Sequence, residues 1–161
     1  MHKILFLHGL DAAPGGFKPT YLRQKGFEVL NPALPKESLE ESFRIAAEEY
    51  HKARPPVIVG SSRGGAVAMA IAPPDANLVL IAPAWRWCEV EPTVPPNTII
   101  LHSQGDEIIP FEDSVHLVAN NRLPIENFRA VGVDHRMNDP EALDSLVDAI
   151  LRLFKVKETD A

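Results

Sequence analysis

A single cysteine, Cys88, stands among 161 residues. One thiol cannot close an intrachain disulfide, and it has no second thiol with which to share a structural zinc. Basic residues are also in the minority, 16 Lys and Arg against 22 Asp and Glu, a formal charge of −6. That balance argues against a nucleic-acid or anionic-membrane surface, both of which call for basic patches. Long apolar runs are missing. The first, Ile4 to Leu7, stops at His8-Gly9, too short for a signal peptide and far short of a membrane span. The chain reads as soluble and cytoplasmic, without a membrane span. Repeats and low-complexity tracts are absent as well.

What is present is an ordinary globular mixture, 45% hydrophobic and 24% charged, long enough for one domain (1–161) with a real core. Short continuous apolar runs, Ile4–Leu7, Val57–Val59, Leu78–Ile81 and Thr98–Leu101, have the character of strands buried on both faces of a parallel sheet. Phe27–Leu30 and Phe128–Val131 are weaker and suit the edges. Helix signals fall between them. Ser38 and Glu41 form a capping box before the stripe Leu39, Phe43, Ala46, Tyr50. Pro110 begins a helix with the stripe Phe111, Val115, Val118, and Asp139-Pro140 begins one carrying Leu143, Leu146, Val147, Ile150 and Phe154. Residues 155–161 are expected to fray. The fifteen prolines sit between these elements as punctuation. The expected fold is α/β: a doubly wound, mostly parallel sheet of about six strands with helices on both faces.

In such sheets ligands bind beyond the carboxyl ends of the strands. After Val57–Val59 comes Gly60-Ser61-Ser62-Arg63-Gly64-Gly65 and a small-residue helix, Ala66 to Ala70. This is G-x-S-x-G between strand and helix, the setting of a nucleophile on a sharp turn. Only centring on Ser62 places glycines at both flanks, so Ser62 and not Ser61 is the candidate nucleophile. A serine needs a base, and the base an orienting acid. Asp106 follows the Thr98–Leu101 strand and His135 follows Phe128–Val131, in the chain order Ser, acid, His. Glu107 and Asp134 are second choices for the acid. His102 ends a strand, where a structural role is expected. Acyl chemistry also needs two amides facing the developing oxyanion. The amides of Arg63, after the nucleophile, and Leu10, in His8-Gly9-Leu10, are the candidates.

These motifs resemble a known family, the small α/β-hydrolases, and within it the compact bacterial esterases of the YqiA type. The matching residues are Phe6-Leu7-His8-Gly9-Leu10, Gly60 to Gly65, His102 to Pro110 around Asp106, and His135. The resemblance implies a Ser-His-Asp esterase or thioesterase with no metal and no organic cofactor, acting on a small-molecule ester or thioester. A non-catalytic binding module on the same fold is the alternative. Residues 83–96 are the only stretch left for a lid, which argues against an interfacial cap. Trp85 and Trp87, two apart there, would share one side if extended. With Met137 they are candidate walls of a substrate pocket, or else they cap the sheet's end. Arg63, Arg86 and Arg136 fall near the mouth, positioned to read an anionic group or to pair with Asp134 or Glu107.

Overall fold

The structure is a computed structural model and describes residues 2–159. Alternating burial builds its sheet. In β1 (Lys3–Leu7) Ile4 and Phe6 face one side while Leu5 and Leu7 face the other, as the two-residue period of a strand requires. The same alternation runs through β3 (Val57–Ser61), β4 (Leu78–Ile81) and β5 (Thr98–His102). Two three-residue strands, β2 (Glu28–Leu30) and β6 (Phe128–Ala130), close the edges. All neighbours are parallel, in the order β2-β1-β3-β4-β5-β6.

Helices cover both faces. α1 (Phe17–Gln24) and α5 (Pro140–Thr159) pack on the Ile4/Phe6 side through Leu22, Leu146 and Ile150. α2 (Leu39–Ala53), α3 (Arg63–Ile71) and α4 (Phe111–Asn121) pack on the other through Ala46, Val67 and Leu117. The chain builds one way from β1 to β2 and then the other way from β3 onward. The two directions part between β1 and β3, and their carboxyl ends flank the crevice where such sheets bind ligands.

Several sequence expectations change in detail. α1 is an added element, short and with few buried apolar side chains, so it left no clear stripe. α4 turns Leu117, Asp113 and Ser114 inward and leaves Val115 exposed; the two polar residues find partners inside, described below. Ser38 Oγ accepts the Glu41 amide at 3.1 Å, but the Glu41 carboxylate pairs with Arg44 instead of reaching back. α5 continues past Lys155 to Thr159, with Leu153 and Phe154 buried in the core. Residues 160 and 161, also expected to fray, lie outside the described residues. No helix among the described residues is long and apolar enough to cross a membrane.

Candidate active site

Four loops meet at the carboxyl end of the sheet because the ends of β1, β3, β5 and β6 put them there. β3 ends at Ser61, and Ser62 turns the chain into α3 with φ 56 and ψ −117, a strained conformation for a residue with a side chain. The turn is feasible because its neighbours are bare. A Cβ on Gly60 would lie 2.5 Å from the Gly64 carbonyl oxygen, and one on Gly64 would overlap the carbonyl groups of Leu7 and His8. The tight turn thereby seats α3 against the end of β1 and lifts Ser62 above the sheet.

Ser62 Oγ donates to His135 Nε2 at 3.0 Å, and His135 Nδ1 donates to Asp106 Oδ2 at 2.7 Å. Ionised Asp106 only accepts, so the imidazole proton sits on Nδ1 and Nε2 is free to receive one. A hydroxyl so placed can lose its proton to the ring as it attacks a carbonyl. Asp106 is saturated. Its Oδ1 accepts the amides of Ile108 and Ile109, both at 2.8 Å, and its Oδ2 accepts a second ring, His102 Nε2, at 3.0 Å. Burial would raise the Asp106 pKa, but the bonds from His135 and from the Ile109 and Ile108 amides outweigh it and hold the carboxyl below its ordinary value. Glu107 is exposed, and Asp134 Oδ1 instead accepts the Arg136 and Met137 amides, closing the turn that carries His135.

His102 is fully buried. Its Nε2 proton is shared between Asp106 and the Ile109 carbonyl, 3.0 Å from each, and its Nδ1 accepts from Ser114 Oγ at 2.7 Å. Burial pushes its pKa below the ordinary 6.5, against the pull of Asp106, so the neutral ring is favoured. The consequence for stability has a definite sign. Below pH 6.5 the unfolded chain binds a proton at this position before the folded one does, so stability falls as pH drops through that window. His102→Gln keeps an N–H donor without titrating; thermal melts between pH 7 and pH 5 should show a smaller loss for it than for the wild type. His102→Leu removes one donor from Asp106 and should lower kcat about tenfold, the worth of one such bond.

The end of β1 brings His8-Gly9-Leu10 alongside. A Cβ on Gly9 would sit 3.4 Å from Ser62 Cβ, so the bare glycine leaves the two loops close together. His8 Nε2 accepts the Leu34 amide at 3.0 Å, and Nδ1 donates to the Gly9 carbonyl at 2.8 Å, pinning this loop. The Arg63 amide, first in α3, has no acceptor inside its helix. Arg63 and Leu10 both line the cleft above Ser62, a space of about 830 Å³ that also meets Phe17, Leu39, Trp87 and Ile108.

The remaining candidates separate. Within 83–96, residues 85–89 form a run of turns with Glu89 at positive φ, so Trp85 and Trp87 do not share a side. Trp87 is exposed on the cleft wall. Trp85 is buried in the core, its Nε1 donating to the Asp113 carbonyl at 3.1 Å, and is no part of the wall. Met137 is also core, packed below the His135 loop at φ 55. Arg86 pairs with Asp113 at 2.9 Å, not with Asp134 or Glu107. Arg136 is exposed at the rim. Cys88 is half-buried, and burial raises its thiol pKa. Lys18 escaped the sequence reading: from α1 its Nζ reaches the Arg136 carbonyl and, at 2.8 Å, Asn138 Oδ1, bracing the histidine loop. Its partners lie more than a hundred residues away, beyond any local signal. Among the described residues no three His, Cys, Asp or Glu side chains gather as a metal site.

The sequence matches the model of the Alpha/beta hydrolase family over residues 4–103. No curated protein matches it. Among solved structures, a protein of the alpha/beta hydrolase superfamily from Xanthomonas campestris pv. campestris superposes with a TM-score of 0.75 at 19% identity, covering 96% of this chain and 98% of its own. Alpha/beta hydrolase domain-containing protein 10 from mouse gives 0.71 at 17% identity, covering 99% and 90%. The esterase domain of a Rhodothermus marinus protein gives 0.63 at 17% identity, covering 98% and 86%. At these identities the likeness is one of fold.

Proposed function

The chain belongs to the alpha/beta hydrolase family, and on that footing we propose that it is a serine hydrolase of small carboxylic esters or thioesters. The observation that carries this reading is the relay Ser62–His135–Asp106, with bonds of 3.0 and 2.7 Å, at the crevice between β1 and β3. In the proposed reaction His135 Nε2 takes the Ser62 proton while Oγ attacks the carbonyl. The amides of Leu10 and Arg63 receive the charge that builds on the carbonyl oxygen. The ring then delivers that proton to the departing alcohol or thiol, leaving Ser62 acylated. Water, deprotonated by the same ring, attacks the acyl-enzyme; the acid leaves and Ser62 regains its proton. Asp106 holds the ring in the required tautomer and stabilises its cation. No metal or organic cofactor enters these steps. The finer likeness to compact YqiA-type esterases rests on Phe6–Leu10, Gly60–Gly65, His102–Pro110 around Asp106, and His135.

A p-nitrophenyl ester series tests the activity and the acyl wall together. The wild type should hydrolyse acetate and gain kcat/KM over the first few carbons, each buried methylene contributing about 0.8 kcal/mol or less. Trp87→Ala should flatten that gain and keep activity on acetate. Trp85→Ala removes a core indole and should cost about 3–5 kcal/mol of stability, read from denaturant melts, with the chain-length slope intact in whatever remains folded. No turnover of any member by the folded wild type would remove the esterase reading in favour of a binding module.

A further inference from the structure

Arg63 is nine-tenths buried, yet its guanidinium meets no carboxylate among the described residues. Its partners among the described residues are neutral: Nη1 donates to Ser42 Oγ and Nη2 to the Pro35 carbonyl, each at 3.2 Å. Three of its five N–H donors remain for a further acceptor. Buried charges in folded proteins are normally paired, because removing a charge from water unpaired is costly. The acids on the cleft rim do not supply the pair: Asp11 bonds Lys36 at 3.1 Å, and Glu37 stands exposed. No acid among the described residues fills that place, which leaves it open to an acceptor carried by a ligand in the cleft.

The place of the guanidinium says which part of a substrate would meet it. Its acceptors belong to the segment leading into α2 and to the first turn of that helix, where Leu39 lines the cleft. Its charge is felt at Cys88, another cleft residue. His135, which must hand its proton to the leaving group, comes from the loop before α5, braced by α1, and both helices cover the opposite face of the sheet. The alcohol or thiol thus departs toward His135, and the acyl chain runs the other way, toward Arg63. A planar guanidinium with three spare N–H donors suits a carboxylate. Resting on the esterase reading above, we infer that the substrate's acyl group ends in a second carboxylate, which docks on Arg63; the natural substrate is a half-ester or half-thioester of a short dicarboxylic acid.

Ethanol release from the monoethyl and diethyl esters of succinic, glutaric and adipic acids tests this. At the chain length that spans the gap, the half-ester should exceed its diester in kcat/KM by about tenfold or more, as a charge-assisted bond allows. Arg63→Gln should lower half-ester kcat/KM about 10–100-fold and diester kcat/KM much less, collapsing the ratio. Equal losses on both substrates would make the guanidinium a brace for Pro35 and Ser42 and overturn the inference. A second arm uses the wild type alone, should that variant fail to fold. Free adipate should inhibit p-nitrophenyl butyrate hydrolysis competitively, at least about tenfold more strongly than hexanoate, and added salt should narrow the difference. Equal inhibition by the two acids would also overturn it. Turnover of diesters without preference for half-esters sinks this inference and leaves the esterase reading standing; no turnover of any ester, p-nitrophenyl acetate included, sinks both.

Discussion

Replacing Ser62 by alanine should lower kcat on p-nitrophenyl butyrate by about 10⁶-fold, the scale seen when a triad nucleophile is removed. The protein should remain folded. Alanine keeps the Cβ and deletes only a hydroxyl whose bond runs to His135. The unusual backbone at this position is held by its bare neighbours Gly60 and Gly64 and not by the hydroxyl. Steady-state rates with a thermal melt beside them separate the two effects. A variant that keeps more than a small fraction of wild-type turnover would mean that another group attacks the carbonyl.

Asp106→Asn should cost about 10⁴-fold in kcat, and the geometry says why an isosteric change does so much. Asp106 Oδ1 is held by the two amides of Ile108 and Ile109, which only donate. The asparagine carbonyl oxygen must take that position, which turns the NH₂ toward His135 and His102. His135 must then accept at Nδ1, so its proton moves to Nε2 and faces Ser62. In that tautomer the ring cannot receive the serine proton. Asp134→Asn is the control. Its Oδ1 accepts two amides, which an asparagine oxygen does equally well, so activity should stay near the wild type. If the losses were reversed, with the Asp134 change damaging and the Asp106 change mild, the orienting acid would be Asp134.

The fold was largely legible because the strands at its centre are buried on both faces, which leaves unbroken apolar runs such as Leu78–Ile81 in the sequence. α1 was not legible: an eight-residue helix that buries little beyond Leu22 imposes almost no periodicity. The inward face of α4 misled for a different reason. Asp113 and Ser114 are buried by their bonds to Arg86 and His102, and hydrophobic pattern cannot anticipate burial paid for by specific partners. At the site, residues that sit on strand ends with turn glycines, Ser62 and Gly9 among them, announced themselves locally. Trp85 and Trp87 did not, because their facing depends on a turn at 85–89, where an extended lid segment would have put both rings on one side. His102 and Lys18 act through contacts whose geometry exists only after folding, one ring beneath Asp106 and one amine across to the histidine loop.

The proposed chemistry depends above all on which oxygen is the nucleophile. Ser61 and Ser62 are adjacent, and only Ser62 carries the bond to His135. Treating the wild-type protein with a fluorophosphonate, followed by peptide mapping of the adduct by mass spectrometry, reads this out in one step. The expected result is a single adduct on Ser62, absent from Ser62→Ala and sharply slowed in Asp106→Asn. An adduct on Ser61, or no labelling of the folded wild type, would contradict it.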